Sequence, residues 1–337
     1  MVDMNTTNKS FLDMHEYLKK KGIKNNAFML ELKNPDLAGV DPHSTRLSLA
    51  QKAAILKEVR ENYWYYLREV VRVPMVGGYS PKEFKLTPLT MAAEFLMTKN
   101  KDIYIESPIQ SSKNVSVLVR LLYIYNFFDL DSTIIFAENY SEQLLWDVVE
   151  YRNALPTYLI TKSPTKYYNK DKETKKVLSD DRIVTISSMN KSERKLLADL
   201  AGISAPNIFM DNFAFMEHNK IFYANQMPSY ADEAKFADIN NKPHGIIMTS
   251  IPGRLGTNEG EFAKYIRDRA TPFDISMYDM SDEELNTKLK ENIESRFICI
   301  SMKYKEIGLS DEWYEKMKKM LANQEDNIRR ELDLEWF

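Results

Sequence analysis

Residues 102 to 114 read Asp-Ile-Tyr-Ile-Glu-Ser-Pro-Ile-Gln-Ser-Ser-Lys-Asn, which divides into an apolar strand, a polar turn and the start of a helix. The strand candidate is Ile103 to Glu106, and the apolar helix candidate is Ser112 to Phe127. A lysine at the start of a helix that follows a strand is typical of loops that bind phosphate through backbone N–H groups. We therefore expect a phosphate site formed by Gln110, Ser111, Ser112, Lys113 and Asn114.

The turn lacks two residues that an active loop of this kind needs. A glycine normally precedes the lysine, and a Ser or Thr hydroxyl follows it and binds magnesium. Ser112 and Asn114 hold those positions here. Ser112 must adopt a backbone conformation that glycine takes without strain, and the amide oxygen of Asn114 is a poorer magnesium ligand than a hydroxyl. The pattern predicts a phosphate-binding frame with altered catalytic positions.

Short apolar strands alternate with amphipathic helices after this loop, which predicts a doubly wound, mainly parallel α/β sheet flanked by helices. Residues 1–45 are interpreted as a loose N-terminal arm, 46–100 as a helical lead-in, and 46–337 as one domain. Helices are predicted at Ser48 to Val71, Pro88 to Thr98, Ser141 to Asn153 and Glu193 to Leu200, with capping boxes at Ser48 and at Ser281. A helix from Phe215 to Asn240 is expected to break near Pro228. Two later segments could extend the sheet edge as strands, Phe273 to Tyr278 and Arg296 to Met302. The main strand candidates are Ile103 to Glu106, Thr133 to Ala137, Arg182 to Ser187, Asn207 to Asp211, and Gly245 to Thr249.

Composition excludes several classes of protein. The chain has 337 residues, of which 44% are hydrophobic and 28% charged, and its net charge of −3 does not indicate a broad basic surface for nucleic acid. Cys299 is the single cysteine, so there is no disulfide framework, and its apolar neighbours predict a buried, inert thiol. Met1 to Ser10 lacks an apolar signal core, and the longest apolar stretch, Val115 to Phe128, is too short to span a membrane. We expect neither secretion nor a membrane role.

Two further strand ends carry polar residues that suit a nucleotide site. The segment Asn207 to Phe213 contains an apolar strand that ends in Asp211, a position typical of an aspartate that holds magnesium through water. The next residue is usually a glutamate that polarises the attacking water, but it is Asn212 here, and an amide cannot take a proton. A later strand ends in Thr249 and Ser250 before Pro-Gly, as in a strand that couples hydrolysis to motion.

The order and spacing of these segments resemble the ATPase domain of the large terminase subunit of tailed phages, the motor that packages DNA. The similarity runs from about Tyr63 to Trp336. Its motifs are Tyr65 to Pro74, Gly77-Gly78, Phe84 to Leu86, the loop, Thr133 to Asn139, Arg152 to Leu159, Asp211 to Phe215, Met248 to Pro252, Gly260 to Phe262, and Ile328 to Trp336. The resemblance implies a P-loop NTPase fold of the RecA/ASCE type, ATP and magnesium as cofactors, and DNA, the portal and the other terminase subunit as partners. It also implies that the protein acts in the cytoplasm of an infected bacterial host.

The departures from the family pattern concentrate on catalysis. The family's loop arginine, which stabilises transition-state charge, is Ile109 here, and the family's Gly-Arg-Gly-x-Thr appears as residues 200 to 204 without an arginine. The family's catalytic glutamate is Asn212. The family's nuclease domain is also absent from this sequence. Gln110, Lys113, Asp211 and Thr249 survive.

Three hypotheses follow. The first is a terminase-like pseudo-ATPase that binds or regulates in phage DNA packaging or a derived process, with weak nucleotide binding or none. The second is an active packaging ATPase in which Glu106, Glu138 or Glu217 replaces the missing base. The third is a purely structural docking protein of the phage.

Overall fold

The structure is a computed structural model that describes residues 1–75, 80–128, 133–137, 141–160, 168–171, 175–177, 183–187 and 191–337. The Gly77-Gly78 motif and the Glu138 candidate lie outside these residues. The helices are α1 Lys9–Lys20, α2 Leu49–Glu61, α3 Tyr63–Tyr65 with a π-helical continuation Tyr66–Val70, α4 Pro88–Thr98, α5 Lys113–Phe127, α6 Ser141–Asn153, α7 Glu193–Leu200, α8 Asn219–Ile239, α9 Asn258–Arg269, α10 Asp282–Glu291, α11 Asp311–Met320, and α12 Glu325–Glu331.

The strands form two sheets. They are β1 Arg72–Val73, β2 Lys82–Glu83, β3 Asp102–Glu106, β4 Thr133–Ala137, β5 Tyr168–Asp171, β6 Lys175–Val177, β7 Ile183–Ser187, β8 Asn207–Met210, β9 Gly245–Ser250, β10 Thr271–Pro272, and β11 Phe297–Ser301. Strands β1 and β2 pair alone, and the main sheet has the order β10-β11-β3-β9-β8-β4-β7-β6-β5. All neighbouring strands are parallel from β10 to β7. The β7–β6 and β6–β5 pairs are antiparallel, so β6 alone runs against the other described strands of this sheet. The predicted doubly wound, mainly parallel α/β class is confirmed.

Residues on the two faces of the sheet enter separate apolar cores. Ile103 and Ile105 of β3 pack with the helices of the first half of the chain, whereas Tyr104 packs with α7, α8 and α9. The same alternation divides Ile298 from Cys299 on β11. This period of two is the geometry of a strand whose successive side chains point to opposite faces. Both faces of the central sheet are therefore covered by helices, as the near-continuous apolar strands require.

The N-terminal segment is packed against the domain and is not loose. Phe11, Leu18 and Met29 are fully buried in the first core. The buried guanidinium of Arg68 lies 3.6 Å from the Asp3 carboxylate. The sequence of this segment shows short helical pieces but not their contacts, because its apolar residues pack against helices that lie much later in the chain. The division at residue 45 stays a prediction.

Two predicted elements are wrong. Helix α8 runs unbroken from Asn219 to Ile239 with Pro228 inside it. Proline removes one helical hydrogen bond, but Phe222 and Tyr230 on either side are buried and hold both halves in place. The predicted strand Phe273 to Tyr278 is instead a 3-10 turn, Ile275–Asp279, because the Asp274 side chain accepts a hydrogen bond from the Ser276 amide and caps it.

Other boundaries agree closely with the sequence. Helices α4, α6 and α7 begin and end as expected, and the predicted capping boxes at Ser48 and Ser281 are both present. The helix expected to continue to Val71 instead ends at Glu61, where the Asn62 side chain caps the next turn. No helix in the described part of the chain is long and apolar enough to cross a membrane.

Candidate phosphate-binding site

The loop between β3 and α5 lies at the carboxyl edge of the sheet, beside the ends of β8 and β9. Parallel pairing sets Glu106, the last residue of β3, opposite Ser250 of β9. The Ser107 amide donates to the Ser250 carbonyl at 3.4 Å, and the Ser107 and Ser111 hydroxyls are 2.7 Å apart. The loop is thus tied to its neighbouring strand at its first residue and to itself across its turn.

The backbone of the loop is shaped to receive an anion. Gln110 and Ser112 both have left-handed conformations, with φ of 54° and 68°. Within the described residues, the amides of Gln110, Ser111, Ser112, Lys113 and Asn114 donate to no protein acceptor. Successive free N–H groups at a helix N-terminus form a concave anion site. The expected strain at Ser112 is confirmed, and it costs about 1–2 kcal/mol relative to glycine.

Lys113 folds back over the loop. Its ammonium donates to the Ser107 carbonyl at 3.2 Å and reaches the Pro108 carbonyl at 3.5 Å. Burial lowers the pKa of Lys113 to about 8, against the opposing effects of Asp211, Glu106 and Glu331. A phosphate entering the loop would add negative charge beside this ammonium and stabilise its charged form. Lys113 is therefore placed to neutralise a phosphate.

The structure brings together the predicted residues of three separate segments. Asp211 is buried, and its Oδ1 accepts hydrogen bonds from Thr249 Oγ1 at 2.8 Å and from Asn114 Nδ2 at 3.1 Å. Ser250 Oγ accepts from the Ala214 amide at 3.1 Å, so the predicted coupling strand touches the chain that follows Asp211. The alignment of β3, β8 and β9 therefore brings three segments that are far apart in sequence into one site.

The residues present fit a magnesium ion, which the resemblance implies. Asn114 Oδ1 is a buried oxygen without a hydrogen-bond donor, and it lies on the side chain that contacts Asp211. Magnesium needs only one or two carboxylates when phosphate and water complete its shell. The described residues contain no cluster of three His, Cys, Asp or Glu side chains for a protein-only metal site.

Asn212 follows Asp211, at the position where the resemblance implies a general base. It has a left-handed backbone, φ 52°, at the start of the turn Phe213–Phe215. Asparagine tolerates that conformation better than most residues, because its short polar side chain interacts locally. Its amide has no proton affinity near neutral pH, so the side chain can orient a water molecule but cannot deprotonate it.

The Glu106 carboxylate accepts hydrogen bonds from three other parts of the protein. It is fully buried, and Oε1 accepts from Arg267 Nη2 at 3.2 Å and from Ser301 Oγ at 2.8 Å. Oε2 accepts from Trp336 Nε1 at 2.8 Å. Glu217, another candidate base, is exposed.

Sequence reasoning missed the contribution of the C-terminal residues. Trp336, Glu331 and Arg267 contact the loop or the strand end before it, yet no local pattern pairs them with residues so much earlier in the chain. The one signal in the sequence was Trp336, whose indole N–H is a hydrogen-bond donor in an acidic segment. Ile109, which the resemblance aligns with an arginine, has an apolar side chain, and its backbone amide donates to the Glu331 carbonyl at 3.1 Å.

A separate cavity of about 720 Å³ opens beside Arg267, Ser301 and Cys299. None of residues 107–114 lines it, so it is distinct from the phosphate loop. Burial raises the pKa of the Cys299 thiol to about 12, which agrees with the predicted inert cysteine.

Comparison with solved structures finds similar folds among phage large terminases. The ATPase domain of the Thermus phage P74-26 large terminase is 13% identical, with a TM-score of 0.46, over 82% of this chain and 98% of that one. The bacteriophage HK97 large terminase is 13% identical, with a TM-score of 0.45, over 78% of this chain and 52% of its own. A large terminase from a thermophilic bacteriophage, solved in complex with ADP, is 10% identical, with a TM-score of 0.41, over 74% of this chain and 54% of its own. No family model matches the sequence, and no curated protein matches it.

Proposed function

We propose that this chain is a terminase-like nucleotide-binding protein that hydrolyses ATP slowly or not at all and acts in phage DNA packaging or a process derived from it. One observation carries the proposal. Lys113, Asn114, Asp211 and Thr249 converge around five free loop amides, while the side chain after Asp211 is the amide of Asn212. The arrangement supports binding of phosphate but lacks the group that would activate water.

The missing groups account for a large loss of rate. A positioned general base contributes about 10²- to 10⁴-fold. An arginine that stabilises the transferring phosphoryl group contributes about 10³- to 10⁵-fold. Glu106 is a poor replacement for the base because its two oxygens already accept three hydrogen bonds. These arguments favour the pseudo-ATPase over an active motor with displaced residues.

Nucleotide and magnesium would be held by residues already close together. The loop amides and Lys113 would bind the phosphates, and Asp211 with Asn114 would bind magnesium directly or through water. Magnesium would neutralise phosphate charge there. The partners implied by the resemblance, DNA, the portal and the other terminase subunit, belong to the proposal in the same way.

Calorimetric titration with ATP and with ADP, each with and without magnesium, tests the binding part of the proposal. We expect measurable binding that Lys113→Ala abolishes, and ATP turnover close to the uncatalysed background. Absence of any binding would favour a purely structural protein. A magnesium-dependent turnover that Lys113→Ala abolishes would contradict the pseudo-ATPase.

A restored variant tests the cause of low turnover. Ser112→Gly, Asn114→Thr and Asn212→Glu together return the loop glycine, the hydroxyl and the base. We expect this variant to hydrolyse ATP measurably faster than the natural chain. Because φ at Asn212 is 52°, glutamate there is strained by about 1–2 kcal/mol, so its melting temperature is measured alongside. An unchanged rate in a folded variant that binds ATP would count against the assignment of these three positions.

A further inference from the structure

The last thirteen residues of the chain contact the phosphate loop, the strand end before it and the segment after β9. We name residues 325–337 the C-terminal clasp. The Glu331 carbonyl accepts from the Ile109 amide inside the loop at 3.1 Å, and Trp336 Nε1 donates to Glu106 just before the loop at 2.8 Å. The Phe337 carbonyl accepts from the Leu255 amide, after the coupling strand β9, at 3.0 Å.

Glu106 is the point at which the clasp acts on the loop. It is the last residue of β3, and the loop begins at the next residue. Arg267 and Ser301 both bind its Oε1, whereas Trp336 is the only donor to its Oε2 among the described residues. Leaving a buried carboxylate oxygen without a hydrogen-bond donor costs free energy, so the Glu106 side chain would shift when Trp336 leaves. That shift would move the first residue of the loop.

We infer that the C-terminal clasp sets the shape of the loop, that Trp336 is a positioning residue for phosphate binding, and that displacing the clasp weakens the affinity for nucleotide. The effect on nucleotide rests on the proposed function. The mechanical link between clasp and loop does not, because both of its hydrogen bonds exist without a ligand.

Buried apolar side chains and a side-chain hydrogen bond attach the clasp to the domain. Leu332 and Leu334 are buried, and Tyr314 on α11 donates to Asp333 at 2.9 Å. The ion pair between Arg329 and Glu335 joins two residues of the clasp and is more than 40% exposed at both side chains, so it does not attach the clasp to the domain. A partner or chain segment that binds this region could draw the clasp away and change the loop from a distance.

Hydrogen–deuterium exchange at the Ile109 amide tests the link without nucleotide. We compare the natural chain with Trp336→Phe, which keeps an aromatic ring but loses the indole N–H, and with Trp313→Phe as a matched control on α11. We expect exchange at Ile109 to be about tenfold faster in Trp336→Phe and unchanged in Trp313→Phe, since losing a hydrogen bond to a charged group is worth at least that factor. Equal exchange in all three chains would overturn the inference, whether or not nucleotide binds.

Calorimetric titration of the same three chains with ADP and magnesium tests the effect on the site. We expect Kd to rise about fivefold or more in Trp336→Phe and to stay constant in Trp313→Phe. Faster exchange with an unchanged Kd would overturn the positioning role. If the natural chain binds no ADP, the proposed function fails and exchange alone decides the link. If Trp336→Phe does not fold, Glu106→Gln replaces it. The side-chain NH2 group of the glutamine would face the indole N–H, and two donors cannot form a hydrogen bond.

Discussion

The protonation of Lys113 makes ligand binding at the candidate site depend on pH. Burial lowers its pKa to about 8, so the side chain is charged below that pH and loses its charge above it. Because the charged form binds phosphate, we expect affinity for nucleotide to fall as pH rises through the pKa of Lys113. Bound phosphate holds the proton more tightly, so Kd should be about tenfold higher at about pH 9 than at about pH 6.5.

Titration calorimetry with ADP at the two pH values measures this dependence. The control is Lys113→Arg, whose guanidinium stays charged over the whole range, so its Kd should not change. A pH dependence of the same size in Lys113→Arg would assign the titration to another group.

The carboxylate of Glu331 is a second charge that acts on the loop. It is among the groups that oppose the lowering of the Lys113 pKa, so it lies close enough to interact with a ligand there. Glu331→Gln keeps the backbone carbonyl that binds Ile109 but removes a negative charge near the phosphate. We expect ADP to bind about threefold more tightly, as measured by calorimetry. Glu335→Gln, in the same clasp but paired with Arg329 at the surface, should leave Kd unchanged.

Helix α9 packs closely against the segment that follows β9. A Cβ atom at Gly260 would lie 2.1 Å from the Arg254 carbonyl oxygen, a contact that backbone must move to relieve. We expect Gly260→Ala to lower the free energy of unfolding by about 2 kcal/mol or more, since overpacking typically costs about 1–3 kcal/mol. Chemical denaturation measures it.

Gly202→Ala is the control for that substitution. Gly202 has a left-handed φ of 73°, but a Cβ atom at this position would have no neighbour within 4 Å, so its cost should be only the backbone strain of about 1–2 kcal/mol. If both variants lose the same stability, close packing of α9 is not what constrains position 260.

At the scale of the whole molecule, a buried ion pair links the N-terminal segment to the rest of the domain. Asp3 and Arg68 are both almost fully buried, and their side chains are 3.6 Å apart. Asp3→Asn keeps the shape but removes the charge, and Arg68 retains Glu69 at 2.7 Å and the Met29 carbonyl at 2.6 Å. We expect a loss of about 2 kcal/mol in one cooperative unfolding transition, below the roughly 3–5 kcal/mol typical of a fully broken buried pair.

The matched control is Asp13→Asn, because Asp13 is exposed on α1. Its denaturation curve should overlay that of the natural chain. A separate early transition in Asp3→Asn would show that the N-terminal segment unfolds independently of the sheet.

The sequence by itself determined the six strands that are adjacent in the sheet from β11 to β7, several helix boundaries and the residues that form the loop. These follow from local causes: apolar runs with a period of two or of about 3.6, capping residues such as Ser48 and Ser281, and a lysine at a helix start. Local patterns failed at Pro228, where burial on both sides outweighs one lost hydrogen bond, and at Phe273 to Tyr278, where Asp274 caps a turn.

Only the tertiary structure decided which distant groups meet. Strand order places the ends of β3, β8 and β9 side by side, so that Asp211 contacts both Asn114 and Thr249. It also brings Trp336 to Glu106, although 230 positions separate them. Pairing between distant strands and the docking of a chain end depend on the summed packing of the whole core, which no local stretch of residues contains.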